Sequence, residues 1–164
     1  MHIRLYGIAS ALVGGLLVLG TVPAGASATG DSLQNGSGEL CLNSTAAGTV
    51  SGIYCSGATN TQQWTAPYVS GGVGDADEVF QLQNVLTGQC LTASAGGSVI
   101  TTSCGASAQD WTDGGSDILI NTATGFCLNG ANPEAPSSEA VDMTTCGNVD
   151  NPPDGQQWSW GGWE

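Results

Sequence analysis

Three stretches of this chain repeat one another, and that self-similarity constrains its fold more than any other feature. Gly38-Glu39-Leu40-Cys41-Leu42, Gly88-Gln89-Cys90-Leu91 and Gly125-Phe126-Cys127-Leu128 share a Gly, Cys, Leu core, with one extra residue before the Cys in the first. An Asn stands six residues before each of these cysteines, at Asn35, Asn84 and Asn121. A second cysteine follows in every copy, at Cys55, Cys104 and Cys146, each with a Val five residues before it, at Val50, Val99 and Val141. Each copy then closes on Gln-x-Trp: Gln62-Gln63-Trp64, Gln109-Asp110-Trp111 and Gln156-Gln157-Trp158, with the tryptophans 47 residues apart.

Within the copies, Val99-Ile100-Thr101-Thr102, Val141-Asp142-Met143-Thr144-Thr145, Phe80-Gln81-Leu82 and Ile118-Leu119-Ile120 are β-branched-rich runs of strand length. Gly, Ser, Thr, Asn and Pro clusters separate them, and no helical period is visible after the N-terminal stretch. About four short strands per copy predict an all-β domain with threefold pseudo-symmetry. One copy cannot bury its apolar face alone, so the three must share a core. The repeat also favours disulfides that close each copy on itself: Cys41 with Cys55, Cys90 with Cys104, and Cys127 with Cys146. In the chain-entropy model such loops contribute about 3 kcal/mol each, which would support a core poor in aliphatic side chains.

Charge removes many function classes. Of 164 residues 14 are acidic, and the only basic ones are His2 and Arg4. Both lie in a stretch, residues 1–28, that reads as a signal peptide: a small charged start, an apolar run from Ala11 to Leu19, and small residues at Ala26-Ser27-Ala28 for cleavage. The expected product is a secreted, soluble, extracellular domain spanning residues 29–164, with repeats at about 31–70, 78–115 and 116–160 and no cationic side chain. Such a chain repels nucleic acid and anionic membranes. It also lacks the base of a Ser-His-Asp or Cys-His system and any imidazole for a metal, so no enzyme activity, metal or other cofactor is expected.

The Gly-x-Cys-Leu starts, the Val-led second cysteines and the three closing Gln-x-Trp motifs together resemble the ricin-type β-trefoil lectin domain, over Asp31 to Trp160. The resemblance implies six two-stranded hairpins, three closing a barrel and three capping it, with the Trp of each Gln-x-Trp in the core. It also implies carbohydrate binding, one shallow pocket per copy. In such pockets a carboxylate or amide meets vicinal hydroxyls while an aromatic face covers the apolar side of the pyranose.

In that family the acid directly follows Cys-Leu, the aromatic stands two residues before the second Cys, and an Asn precedes the Gln of Gln-x-Trp. Here the acid position holds Asn43, Thr92 and Asn129, the aromatic position Ile53, Thr102 and Thr144, and the last position Thr61, Ala108 and Gly155. No copy has the complete set. Copy 1 comes nearest with a one-residue shift, which brings in Tyr54 and Asn60 beside Asn43. Copy 3 keeps Asn129 and carries a longer insertion, Asn132 to Ser138, able to rebuild a rim.

The expected ligands are therefore neutral or basic glycans, bound weakly through Asn43, Tyr54, Asn60 and Asn129. The alternative is a trefoil that has lost sugar binding and serves as an interaction or inhibitor module for a cationic protein. Each residue also has a plainer reading: Asn43 as a turn residue bonded to its own backbone, Tyr54 as a strand residue. Trp160 and Trp163, in a Gly-rich tail, fit either a sugar-stacking aromatic or a tail tucked against the barrel. Asp75, Asp77 and Glu78 read as a solvated turn between repeats.

Overall fold

The computed structural model describes residues 30–36, 40–56, 59–94, 96–130 and 138–161. The expected signal peptide, Gly38 and Glu39 of the first copy, the insertion before Ser138 and Trp163 lie outside them. The first copy supplies strands β1 (Asp31–Asn35), β2 (Leu40–Ser44), β3 (Val50–Tyr54) and β4 (Gln63–Thr65). An added strand, β5 (Tyr68–Ser70), precedes the second copy, which supplies β6 (Val79–Gln81), β7 (Gln83–Asn84), β8 (Cys90–Ala93), β9 (Val99–Thr102) and β10 (Asp110–Asp113). The third supplies β11 (Leu119–Asn121), β12 (Cys127–Gly130), β13 (Ser138–Thr144) and β14 (Trp158–Gly161). Three short 3-10 turns, Asn60–Gln62, Ser107–Gln109 and Asp154–Gln156, each end on the Gln of a Gln-x-Trp.

The strand count exceeds four per copy for two local reasons. β5 pairs with β6 in the link between copies. The opening strand of the second copy is divided at Leu82, whose carbonyl accepts from Leu91 N–H at 2.8 Å and so turns away from the barrel ladder.

All pairing is antiparallel and closes a ring. β1 pairs with β14 and β4, β4 with β7, β6 with β10, and β10 with β11. The last gap, β11 to β14, is bridged at Ile118 and Gln157 and by Trp158 N–H donating to Asp117 O at 2.7 Å. A closed ring leaves no barrel edge. The hairpins β2–β3, β8–β9 and β12–β13 cap one end and touch each other pairwise. β13 pairs with β3, Thr49 bridges Ile100, and Ser98 bridges Asp142. This is a β-trefoil with threefold pseudo-symmetry.

The repeated residues are the ones that hold the copies together. Trp64, Trp111 and Trp158 are 1 %, 0 % and 2 % exposed and pack with Leu33, Leu42, Leu82, Leu91 and Leu128. Each indole removes roughly 150–250 Å² from water, about 4–6 kcal/mol before entropy is charged against it. Burial requires a partner for each indole N–H, and the Leu of every Cys-Leu supplies it. Trp64 Nε1 donates to Leu42 O at 2.8 Å, Trp111 Nε1 to Leu91 O at 3.1 Å, and Trp158 Nε1 to Leu128 O at 3.1 Å. The disulfides join Cys41 to Cys55, Cys90 to Cys104 and Cys127 to Cys146, each within one copy.

The Gln of each Gln-x-Trp clamps the backbone on both sides of the second cysteine. Gln62 Nε2 donates to Tyr54 O and its Oε1 accepts from Ser56 N–H, both at 2.8 Å. Gln109 does the same with Ser103 O (2.9 Å) and Gly105 N–H (2.7 Å), and Gln156 with Thr145 O (3.0 Å) and Gly147 N–H (2.7 Å).

The Asn six residues before each first cysteine links copies. Asn84 Nδ2 donates to Thr61 O and Gln63 O, Asn121 Nδ2 to Ala108 O and Asp110 O, and Asn35 Nδ2 to Gly155 O and Gln157 O. Each Asn thus holds the Gln-x-Trp backbone of the preceding copy, and Asn35 closes the circle. The same side chains shape the next turn, since Asn84 Oδ1 accepts from Thr87 N–H and Asn121 Oδ1 from Thr124 N–H. These turns end on Gly88 (φ 65°) and Gly125 (φ 70°), left-handed positions that favour glycine.

One buried group contradicts this polar economy. Glu139, opposite Gly52 in the β13–β3 pair, is 6 % exposed, and neither carboxylate oxygen has a hydrogen-bond partner among the described residues. It lies on the same face of β13 as the core residues Val141 and Met143, two and four positions along. A buried acceptor without a partner destabilises the fold, so Glu139→Met should raise unfolding stability by about 1–3 kcal/mol in urea titrations. A lowered midpoint would mean that the carboxylate has a stabilising partner.

Candidate functional site

Directly paired strand residues share a face of the hairpin, and successive residues alternate. In the first capping hairpin, Leu40 pairs with Tyr54, Leu42 with Gly52 and Ser44 with Val50, which sets those residues on the core-directed face. Cys41 with Ile53, and Asn43 with Ser51, form the other face.

Asn43 and Tyr54 therefore point in opposite directions. They are also offset by three residues along the hairpin, about 10 Å at strand rise. Asn43 is 7 % exposed, whereas Tyr54 is 50 % exposed at the strand end. Asn60 is exposed in the 3-10 turn that Gln62 ties to the Tyr54 carbonyl. Of the residues expected at a copy 1 site, Asn43 thus stands on the opposite face of the hairpin from Tyr54. Shifting the aromatic position by one residue moves it across the pleat to the opposite face.

In copy 2 the corresponding face is occupied by its own side chains. Thr92 and Thr102 hydroxyls lie 2.9 Å apart, and Gln109 Nε2 donates to both, at 3.0 and 2.9 Å. Those groups already have partners within the protein, so a sugar hydroxyl arriving here would have to displace them.

Copy 3 is different. Asn129 pairs across the hairpin with Asp142, and Asn129 Nδ2 donates to Asp142 Oδ1 at 2.9 Å. Both residues are half-buried. They share their face with Thr144, whose hydroxyl accepts from Gln156 Nε2 at 2.7 Å. Behind them the turn at Gly155 lies so close that a Cβ built there would stand 2.4 Å from Gly130 O and 3.0 Å from Asn129 Oδ1. Only glycine lets this turn support the Asn129 amide so closely.

The copy 3 hairpin thus holds an amide and a carboxylate side by side. The amide can donate to one hydroxyl oxygen of a vicinal diol and the carboxylate can accept from the next O–H. Sequence comparison with the family pattern missed Asp142, because that pattern looks for an acid directly after Cys-Leu. The signal was present: Asp142 follows the Val that marks each second strand, and the Val-to-Cys spacing sets it opposite Asn129.

Trp160 is 43 % exposed and lies beyond the core in β14, paired with Leu33. Among the described residues no group of three His, Cys, Asp or Glu side chains is arranged to hold a metal ion, and no helix is long and apolar enough to cross a membrane.

A family model described as ricin-type beta-trefoil lectin domain-like matches residues 60–158. No curated protein matches the chain in sequence. Among solved structures, the cytolethal distending toxin of Haemophilus ducreyi superposes with a TM-score of 0.66 at 16 % identity, over 82 % of this chain and 84 % of that one. The cytolethal distending toxin of Actinobacillus actinomycetemcomitans gives 0.63 at 17 % identity, over 82 % and 91 %. The designed threefold-symmetric protein ThreeFoil gives 0.60 at 22 % identity, over 78 % and 94 %. At these identities the structural likeness concerns the fold.

Proposed function

Because this chain belongs to the ricin-type β-trefoil lectin domain-like family, we propose that it is a secreted, non-enzymatic carbohydrate-binding protein whose working hairpin site is that of copy 3. The observation that supports this reading is the Asn129–Asp142 pair, half-buried on the outer face of the β12–β13 hairpin. An aromatic is missing from that face, where Thr144 stands, so this site binds weakly and the hydroxyl contacts carry recognition. The net charge of −13 opposes anionic polysaccharides, leaving neutral or basic glycans as ligands.

Retention on a panel of insoluble polysaccharides, followed by calorimetry with soluble fragments, tests the proposal. Asp142→Asn keeps the shape but removes the charged acceptor, and should weaken binding about tenfold. Asn129→Ala should do at least as much. Retention of the wild type on no glycan, or unchanged binding by both variants, would sink the reading.

A second reading has its own support in copy 2, where Thr92, Thr102 and Gln109 satisfy one another. A trefoil whose sugar faces are closed in this way could serve a cationic protein partner. Such binding would ignore free sugar and weaken steeply with salt.

A further inference from the structure

At the barrel end remote from the capping hairpins, the turns between copies surround a cavity of about 260 Å³. Phe80, Leu119 and Trp158, all buried core residues, supply its apolar lining. Trp160 lies two residues beyond Trp158, hence on the same face of β14, and extends the core face out to the mouth of the barrel. Its indole also borders an adjoining cavity of about 380 Å³, with Trp64 and Asp31. A half-exposed indole walling two joined concavities is an unfilled aromatic surface that water contacts at some cost.

The same cavity is walled by four carboxylates, Asp75, Glu78, Asp113 and Asp117. Glu78 Oε2 accepts from Gly74 N–H, and Asp113 Oδ1 from Gly115 N–H at 2.7 Å, so these two are oriented by their own turns. The Asp75 and Asp117 carboxylates make no hydrogen bond among the described residues. Among the described residues no cationic side chain faces them, the chain's only basic residues, His2 and Arg4, lying outside those described.

A ligand suited to this cavity must carry positive charge and an apolar face together. A cation beside an indole gains from the ring quadrupole, and an ammonium among carboxylates gains charge-assisted hydrogen bonds. The concavity is of the size that encloses a single ring, which favours a compact unit over the broad surface of a folded protein.

We propose that the barrel mouth is a second carbohydrate site, specific for amino-sugar units of cationic glycans, with the pyranose C–H face on Trp160 and the ammonium among Asp75, Asp113 and Asp117. It stands apart from the copy 3 hairpin, at the other end of the barrel, and does not depend on that site being active.

Calorimetry on the disulfide-bonded protein with a β-1,4-linked glucosamine tetramer, its fully N-acetylated counterpart and a lysine tetramer tests the assignment. The glucosamine tetramer should bind, and its N-acetylated form should bind about tenfold more weakly or not at all, since acetylation removes the charge. Trp160→Ala should weaken binding about tenfold, with Trp160→Tyr restoring most of it. The double variant Asp113→Asn, Asp117→Asn keeps an acceptor for Gly115 N–H, so near-UV dichroism should be native while glucosamine binding is lost. Binding of neutral glycans at the hairpin site should survive Trp160→Ala, which separates the two sites. Equal binding of the N-acetylated tetramer, or full binding by the Trp160→Ala and double Asn variants, overturns the proposal. So does a lysine tetramer that binds as tightly as the glucosamine one and is lost in the same variants, which would assign the mouth to a basic peptide.

Discussion

Reduction of the three disulfides should unfold this domain without any denaturant. Each bridge closes a short loop within its own copy, with sequence separations of 14, 14 and 19. In the chain-entropy model such loops contribute about 3 kcal/mol each, roughly 9 kcal/mol together if they act independently. That sum consumes most or all of a typical domain stability of about 5–15 kcal/mol. The packing cannot compensate, because the core depends on three indoles and a thin set of aliphatic side chains. Near-UV circular dichroism, which reports the buried tryptophans, should collapse on adding a thiol reductant and return on reoxidation. A reduced protein that keeps its native near-UV spectrum would show that the indole core is self-sufficient.

The bridges matter so much because of how labour is divided within each copy. The cystine pins the two strands of a capping hairpin at their open end, and the Gln clamp then fixes the segment leaving the second cysteine. The indole seats itself on the carbonyl of the first strand. These contacts lie within a copy, and their residues recur in sequence at fixed spacing. That is why the fold was legible: a position that must be Cys, Gln or Trp in all three copies marks itself by repetition.

The Asn at six residues before each first cysteine was equally visible, but its purpose was not. Its partners lie in the preceding copy, so only the closed ring shows what Asn35, Asn84 and Asn121 hold. The site was less legible still. Whether Asn43 and Tyr54 meet depends on the parity of the strand register, and moving one residue along a strand changes the face. Asp142 was hidden for a related reason. Its importance arises from standing opposite Asn129, a relation between two strands that a motif written along one strand does not express. Trp160, Asp75 and Glu78 were visible one by one, yet only the barrel's closure gathers them with Asp113 and Asp117 at a single mouth.

Loss of one Gln clamp should be the most damaging single substitution that leaves all cystines and indoles in place. Gln109 has five hydrogen-bond partners: its Oε1 accepts from Gly105 and Ala106 N–H at 2.7 and 3.0 Å, and the two protons of its Nε2 are shared among Ser103 O, Thr102 Oγ1 and Thr92 Oγ1. The side chain is wholly buried, but Ser103, Gly105 and Ala106 are exposed, so their backbone groups recover part of the loss from water. Gln109→Leu should therefore destabilise by about 3 kcal/mol, from the range of about 1–3 kcal/mol for each buried group left unpaired. Urea titration of the oxidised protein should show a lower midpoint with an unchanged slope, since the surface exposed on unfolding is the same. Gln63→Ala offers the contrast, because that half-buried Gln occupies the middle of a Gln-x-Trp and its side chain makes no hydrogen bond among the described residues. It should fall within about 0.5 kcal/mol of the wild type. Equal effects at the two positions would mean that the first Gln of the motif owes its recurrence to something other than clamping the cystine-bearing strand.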